Sequence, residues 1–483
     1  MRSKSRKLAL TIALGLAIAG FGPSTAAAAN GLSGCPFSVH CVRFSWIQGF
    51  NDPATPDNLD RVGVLKIGSP FARNILVLNP GTSAGSGYFK PLADDIVNRT
   101  HGRWQVWSVE RRENQLEDQS VLDKFKQGQA NSQQLFDYYL GWLSKPSITN
   151  HFQLIPDSSV AFGRGWGMNV EIQDLHRVVE AAHRFGRTVA LGGHSLGGSI
   201  TTAYATWDFN GKAGAKDLSG LVYIDGGSNP VPVTPQQATQ SLQSLQTSSP
   251  WLSFGGIPPP FLGLFSATGS CGTVYDPNGP SLGYSFSLLP ANIKPPLPAG
   301  VVPTNEAEFG FATSVPSSPP NLIAAQVHAG HIADSGNPRG WERAGAITPI
   351  QRYAAMLCGK GLPGLDGSAW YHPMRLTIDS GAVADGNANP AQSILDVHAI
   401  HGNAVKVPIY AFGAALGGQG VLDTAKILAH QSGVPDSKLT LINRQSTYAH
   451  NDPSAASPHN DFLDNLIPFL GKVGKPHFPH FPH

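Results

Sequence analysis

The residues RTVALGGHSLGGSITTAYATW, from 187 to 207, constrain the fold more than any other stretch of this chain. An apolar run that reads as a buried strand ends in Gly193-x-Ser195-x-Gly197, and the residues after it can continue directly as a helix. Two glycines around a serine allow a sharp, strained turn that lifts the hydroxyl out of a sheet, with a helix N-terminus behind it. The stretch therefore predicts a strand, a tight turn and a helix, with Ser195 as a candidate nucleophile.

The rest of the chain alternates between short apolar runs and amphipathic segments, a pattern typical of a parallel sheet with crossover helices. Further helices are predicted at 169–185, 420–432 and 460–470. The predicted strands are 42–50, 61–68, 74–81, 103–110, 187–195, 220–227, 407–413 and 438–445. The expected fold class is α/β, with a mostly parallel, doubly wound sheet.

The alternation is interrupted over residues 230–371, where prolines are frequent. So long an interruption in a compact unit is usually a functional lid or an inserted subdomain, and we expect a Pro-rich cap or lid insertion here. Within it, residues 348–359 predict a short helix, with Thr348 as N-cap, Pro349 in the first turn and Gly359 just past the end.

The first 29 residues begin with four basic side chains, continue with an apolar run from Leu8 to about Phe21 and end in small residues. This is typical of a cleavable secretory signal, because the apolar run is too short to span a bilayer comfortably. Without this segment the chain has 30 basic and 32 acidic side chains, so it has no basic excess for binding nucleic acid. No later segment has 18 uninterrupted apolar residues, and we expect a secreted, extracellular protein.

Four cysteines are an even number that an oxidising compartment would pair. We expect one disulfide between Cys35 and Cys41, closing a small loop, and a second between Cys271 and Cys358 within the insertion. An alternative is that residues 32–35 form a bacterial lipoprotein cleavage box, in which case Cys35 carries a lipid anchor and Cys41 loses its partner.

The strand, the Gly-x-Ser-x-Gly turn and the helix together resemble the α/β-hydrolase superfamily, and specifically its secreted serine lipase and esterase branch. The resemblance covers roughly residues 42–230 and 372–472. It implies an α/β-hydrolase fold whose two parts, 30–229 and 372–472, flank the insertion. A signal peptide at 1–29 and a low-complexity His and Pro tail at 473–483 complete the predicted organisation.

A serine alone is a weak nucleophile, so the family's chemistry requires a base later in the chain. Two histidines, His450 and His459, follow the last predicted strand, which ends near Gln445. By resemblance, the family's base occupies the loop directly after that strand, and His450 fits this position better. His459, at the cap of the closing helix, is the alternative base.

The carboxylate that orients the base is harder to assign. The family often places it after the strand that here reads VPIYAFG, but the following loop has no acid before Asp423. Some lipases of the superfamily carry the acid one strand earlier, where this chain has Asp225 in LVYIDGG. We favour Asp225 and keep Asp423 as the alternative, which gives the order Ser195, Asp225 and His450 that the fold expects.

Catalysis by such a triad also needs N–H donors for the oxyanion. By resemblance, one is the backbone N–H of Leu196, and the other comes from the loop after the third strand, NPGTSAGSG at 79–87. The family often has His-Gly where this chain has Pro80-Gly81. We expect the N–H of Thr82 to be the second donor, with Ser83 as the next candidate.

The resemblance implies a serine hydrolase that cleaves carboxylic esters through an acyl-enzyme, without a cofactor or metal. The implied partner is an ester or lipid-like small molecule, with transient contact to a lipid interface and no obligate protein partner. A peptidase or acyltransferase with the same triad, or a hydrolase-like binding protein without turnover, are the alternatives. Apolar side chains in the insertion either line an acyl pocket or pack its own core: Trp251, Leu252, Phe254, Ile257, Phe261, Leu262, Leu264 and Phe265.

Two histidine pairs are candidate metal ligands. His328 and His331 are separated by two residues, as are His398 and His401, but neither pair has the glutamate spacing of a zinc protease helix. We expect these to be surface or packing histidines and predict no metal site.

Overall fold

A computed structural model describes residues 39–254 and 256–475 of the chain. Its centre is an eight-stranded sheet in the order β1-β2-β4-β3-β5-β6-β7-β8. The strands β1 and β4 are antiparallel to β2, and all remaining neighbours are parallel. The strands are Val42–Gln48, Arg61–Ile67, Asn74–Asn79, Trp104–Glu110, Thr188–His194, Gly220–Ile224, Ile409–Gly413 and Leu439–Asn443. The mostly parallel sheet predicted from the sequence is confirmed.

Helices cover both faces of the sheet, which makes it doubly wound. They are α1 Lys90–Arg99, α2 Ser120–Lys126, α3 Ser132–Tyr139, α4 Met168–His183, α5 Leu196–Thr206, α6 Pro235–Thr247 and α7 Phe261–Tyr275 in the first part of the chain. They continue as α8 Asn305–Thr313, α9 Ile350–Cys358, α10 Met374–Ser380, α11 Pro390–Leu395, α12 Gly418–Gln431, α13 Asp452–Ala455 and α14 Asp461–Val473.

The central strand β3 explains why its apolar run is continuous rather than alternating. All six of its residues are buried. Ile75 and Val77 belong to the apolar layer formed with α4, whereas Leu76 and Leu78 belong to the opposite layer formed with α1. Because both faces of a parallel strand are covered, both sets of side chains are apolar.

The described residues of 230–371 contain α6 to α9, and none of them belongs to a strand of the central sheet. The helices α7 and α9 are joined by a disulfide between Cys271 and Cys358, whose Cα atoms are 4.8 Å apart. Side chains of α2 and α3 share an apolar cluster with α7, so the segment after β4 that contains these two helices packs against the insertion.

The helix predicted at 348–359 begins later than its sequence suggests. It starts at Ile350, with Pro349 at the N-cap position, so Thr348 is not the cap. The hydroxyl of Thr348 instead donates to Oδ1 of Asp452 at 2.6 Å, a partner 104 residues away that no local rule identifies. Gly359 ends the helix in a left-handed conformation, with φ 63°, as glycine does without strain.

Some expectations fall on residues outside the described ranges. The signal peptide, Cys35 with its lipoprotein alternative, and the residues of the tail beyond Lys475 are among them. Cys41 is buried and disulfide-bonded, while its predicted partner Cys35 lies outside the described residues. In the described part of the chain, no helix combines the length and the apolar character needed to cross a bilayer.

Candidate active site

Ser195 occupies the turn between β5 and α5, with φ 55° and ψ −125°. A non-glycine residue rarely adopts this backbone conformation, and such strain is common at nucleophile turns. The flanking glycines are required by close packing. A Cβ on Gly193 would lie 2.2 Å from the carbonyl oxygen of Gly197, and one on Gly197 would lie 2.2 Å from that of Asn79. The motif therefore holds its serine at the carboxyl edge of the sheet.

His450 lies in the loop after β8, and its side chain is 1% exposed. Its Nδ1 is 2.7 Å from Oδ2 of Asp225, a residue that directly follows β6. An ionised carboxylate can only accept, so Nδ1 carries a proton, and in the neutral imidazole Nε2 is then the hydrogen-bond acceptor. His450 and Ser195 line the same cavity.

Asp225 is held by backbone as well as by His450. Its Oδ1 accepts N–H bonds from Ala414 at 2.6 Å, Gly417 at 2.9 Å and Gly418 at 3.2 Å, and its Oδ2 accepts one from Leu416 at 3.2 Å. The loop after β7 has no acid of its own, but together with the first residue of α12 it provides four N–H donors to Asp225 on the neighbouring strand.

This environment keeps Asp225 ionised. Burial by itself would raise the pKa of the carboxyl, but the hydrogen bond and charge of His450 and the N–H of Ala414 outweigh it and lower the pKa below its usual value. Gly226 lets the backbone after Asp225 pass close to Ser195, since a Cβ there would lie 1.9 Å from the carbonyl oxygen of Ser195.

The two alternative residues lie elsewhere. Asp423 is exposed on α12 and accepts a hydrogen bond from Nε2 of Gln419 at 2.9 Å. The side chain of His459 is 73% exposed, and its Nε2 lies 2.6 Å from Oδ1 of Asp461. Neither residue lines the cavity that contains Ser195.

The loop 79–87, here called the oxyanion loop, lies against the serine. A Cβ on Gly81 would be 2.9 Å from the Cβ of Ser195. Ser83, with φ 54°, directs its N–H to Nδ1 of His372 at 3.4 Å. Thr82 lines the cavity, and in the described part of the chain its N–H has no acceptor. Leu196 is the first residue of α5, where backbone N–H groups lack helical partners.

Sequence reasoning missed His194, although it lies inside the motif. Its Nε2 is 2.9 Å from the carbonyl oxygen of His450 and 3.2 Å from the hydroxyl of Tyr88, and its ring centroid is 4.2 Å from that of His450. Burial, and then the charge of His450, hold the pKa of His194 well below its usual value. His194 is therefore a neutral donor that fixes the backbone of the loop carrying His450.

The cavity at Ser195 has a volume of about 600 Å³ and is lined mainly by apolar side chains. The insertion supplies many of them, and the members of its apolar cluster lie in two different places. Four members line the cavity, namely Phe254, Ile257, Leu262 and Phe265. Trp251 and Leu264 are buried in a separate apolar cluster of α2, α3 and the insertion.

The histidines of the two pairs that were candidate metal ligands have other partners. His328 contacts Asp452 through Nδ1 at 2.6 Å, which braces the insertion against the loop of His450. His398 and His401 pair with surface aspartates. Within the described ranges, the side chains with metal-ligand spacing are His459, Asp461 and Asp464, and both aspartates already pair with arginines.

The serine on a strand-to-helix turn, the chain order serine, aspartate and histidine, and the glycine loop after the third strand occur together at one edge of this sheet. That combination defines one architecture. The chain has the α/β-hydrolase fold. Its sequence matches no family model and no curated protein.

Several solved structures align with most of the chain at low sequence identity. A candidate lipase from Sulfolobus solfataricus is 14% identical, with 90% of this chain and 93% of that chain covered and a TM-score of 0.43. A monoacylglycerol lipase from Paleococcus ferrophilus is 10% identical, with 85% and 98% covered and a TM-score of 0.37. A soluble variant of monoglyceride lipase from Saccharomyces cerevisiae is 10% identical, with 92% and 99% covered and a TM-score of 0.39.

Proposed function

We propose that the protein is a serine hydrolase that cleaves carboxylic esters of apolar acyl groups. The observation that carries this proposal is the 2.7 Å contact between Nδ1 of His450 and Oδ2 of Asp225, in a site whose cavity also contains the strained Ser195. A buried histidine that is oriented by an ionised aspartate and has Nε2 unprotonated is equipped to act as a general base.

In this mechanism Nε2 of His450 removes the proton from Oγ of Ser195 as Oγ attacks the ester carbonyl carbon. The carbonyl oxygen becomes an oxyanion that accepts N–H bonds from Thr82 and Leu196. Collapse of the tetrahedral intermediate breaks the bond to the alkoxide, which takes the proton from the imidazolium. Water then attacks the acyl-enzyme with His450 again as base, and Ser195 is regenerated.

Asp225 contributes without taking the proton. Its hydrogen bond keeps His450 in the productive tautomer, and its negative charge stabilises the imidazolium that forms in the transition state. The four backbone N–H groups around Asp225 favour its ionised form and fix its orientation.

The lining of the cavity supports an apolar acyl group as the ligand. Phenylalanine and leucine side chains from α3, α7 and α8 surround the space beside Ser195, and a cavity of about 600 Å³ is in the range of small-molecule sites. A fatty acyl chain gains free energy there by leaving water, at roughly 0.8 kcal/mol per buried methylene.

We also propose that the protein works outside the cytoplasm. The disulfide between Cys271 and Cys358, together with the disulfide-bonded state of Cys41, supports folding in an oxidising compartment. The secretory signal expected from the sequence agrees with this proposal.

Steady-state hydrolysis of p-nitrophenyl esters of increasing acyl length tests the proposed function. We expect turnover by the wild type, loss of at least about a thousandfold in kcat for Ser195→Ala, and normal turnover for Ser199→Ala. Ser199 is the matched control, because it lies one turn further along α5 and its hydroxyl donates to the carbonyl of Gly227 at 2.9 Å. Equal activity in wild type and Ser195→Ala would remove Ser195 from the mechanism.

A further inference from the structure

Arg111 directly follows β4, and its side chain is only 1% exposed. Its Nη1 donates to the carbonyl oxygen of Pro80 at 2.9 Å, and its Nη2 donates to those of Gly81 at 2.6 Å and Ala84 at 3.3 Å. Its Nε donates to Oε1 of Glu113 at 3.0 Å. Three of these four bonds hold the oxyanion loop.

The bond to Gly81 determines where the next N–H points. The peptide between Gly81 and Thr82 is trans, and in a trans peptide the C=O and N–H vectors are opposed. A guanidinium that binds the carbonyl of Gly81 therefore turns the N–H of Thr82 away from Arg111. Gly81 and Thr82 line the cavity with Ser195, whereas Arg111 does not.

The charge on Arg111 also changes the strength of this donor. A cation bound to the carbonyl oxygen draws electron density through the amide, so the N–H at the other end becomes more positive. Within the described part of the chain, Arg111 is the side chain bonded to the carbonyls of both Pro80 and Gly81.

The other end of the oxyanion loop is held by the end of the insertion. The carbonyl oxygen of Ser83 accepts the N–H of Ala369 at 2.9 Å, and the N–H of Gly85 donates to Gly367 at 3.1 Å. These bonds fix the loop from Ser83 onward. They do not hold the peptide between Gly81 and Thr82, whose carbonyl is bound by Arg111.

We propose that Arg111 is the positioning residue of the oxyanion hole, acting through the carbonyl of Gly81 to aim and polarise the N–H of Thr82. Glu113 holds the guanidinium in place. The inference rests on the proposed function, because it assigns a role in the same reaction. It predicts that loss of Arg111 weakens binding of the tetrahedral intermediate and leaves binding of the ester unchanged.

The test compares wild type, Arg111→Met and Arg111→Lys for kcat and KM on one p-nitrophenyl ester, and for inhibition by an alkyl boronic acid. A boronic acid forms a tetrahedral adduct with the serine oxygen and places a boronate oxygen at the oxyanion position. We expect Arg111→Met to lose about a hundredfold in both kcat and boronic acid affinity, with KM within about threefold. Arg111→Lys should fall between the two, because it keeps the charge but not the fork of donors.

Arg112→Met is the matched control. Arg112 is equally buried in the same turn, but it binds Asp60 and Asp174 instead of the oxyanion loop. We expect this variant to have a lower Tm and an unchanged kcat and boronic acid affinity in its folded fraction. If Arg111→Met does not fold, Arg111→Met combined with Glu113→Gln removes the unpaired buried carboxylate and is measured in its place.

The outcomes separate the two proposals. If the wild type hydrolyses esters and binds the boronic acid, and Arg111→Met has the same kcat and boronic acid affinity, the role of Arg111 is overturned while the proposed function stands. A rise in KM that accounts for the whole effect also overturns it, because the residue would then support ester binding. A wild type inert to ester and boronic acid overturns the proposed function and this inference with it.

Discussion

Nδ1 of His450 and Oδ2 of Asp225 lie 2.7 Å apart, joining the loop after the last strand to the end of β6 across 225 residues of chain. Both side chains are buried, and Asp225 accepts four backbone N–H bonds in addition. In the proposed mechanism this pair orients the base, although the loop after β7 has no acid.

Replacing Asp225 by asparagine should lower kcat by roughly 10⁴-fold, because an amide no longer fixes the tautomer of His450 or balances its charge. KM should change little. Asp423→Asn is the control, since that side chain is exposed on α12, and it should have wild-type kinetics. Loss of activity in Asp423→Asn with activity retained in Asp225→Asn would reverse the assignment.

Replacing His194 by phenylalanine should lower kcat by about tenfold or more, because the ring can still pack against that of His450 but no longer donates to its carbonyl. KM should stay nearly constant. Steady-state kinetics on one ester measure both values, and His401→Phe, at a surface pair with Asp208, is the comparison. A His194→Phe variant with full kcat would show that this hydrogen bond does not position the base.

Gly269 offers a test of the cavity as the acyl site. It lies in α7 and lines the cavity, and a Cβ there would make an ordinary 3.5 Å contact with Phe309. Gly269→Leu should therefore reduce kcat/KM for long acyl esters by at least about tenfold and spare short ones. Gly269→Ala should keep the wild-type profile. Equal losses for short and long esters would place the acyl chain elsewhere.

Glu308 gives the fold a dependence on pH. Burial raises the pKa of its carboxyl to about 7, against 4.5 for the exposed group, and its Oε1 has no partner in the described part of the chain. The folded protein therefore binds this proton more tightly than the unfolded chain does. Its contribution to stability is complete below pH 4.5 and is lost as the pH rises towards 7.

The check compares the free energy of unfolding of wild type and Glu308→Gln from pH 4.5 to 8. We expect wild type to lose up to about 3 kcal/mol relative to the variant over this interval, since one pKa unit corresponds to about 1.4 kcal/mol. Parallel curves would mean that the carboxyl titrates alike in both states.

The disulfide between Cys271 and Cys358 closes a loop of 87 residues across the insertion. Replacing both cysteines by alanine should reduce the free energy of unfolding by about 4 kcal/mol, largely because the unfolded chain gains freedom. Chemical denaturation measures the loss. Thiol labelling of Cys271 in the unreduced wild-type protein would contradict the pairing.

How much of the site could be predicted depends on how local each signal is. The turn of Ser195 is encoded within a few residues, because close packing at Gly193 and Gly197 leaves no room for a side chain. The strand before it and the helix after it also have clear hydrophobic patterns. The strands of the sheet were likewise predicted from short apolar runs that end in glycine or proline.

The rest of the site depends on which strands become neighbours. Asp225 reaches its backbone N–H donors because β6 pairs with β7. His194 contacts the carbonyl of His450 because the loop that carries His450 folds back over it. In the sequence, Arg111 is only one of several charged residues after the predicted strand 103–110. Its contact with the oxyanion loop exists only in the folded chain. Thr348 was misassigned for the same reason, because its partner Asp452 is distant in sequence.

The central claim is that Ser195 is an activated nucleophile, and labelling with a fluorophosphonate followed by peptide mapping tests it most directly. We expect stoichiometric modification of Ser195 in the folded protein, none in Ser195→Ala, and much slower modification in His450→Ala. A folded protein that stays unlabelled at Ser195 under conditions that label a known serine esterase would show that Ser195 is not an activated nucleophile.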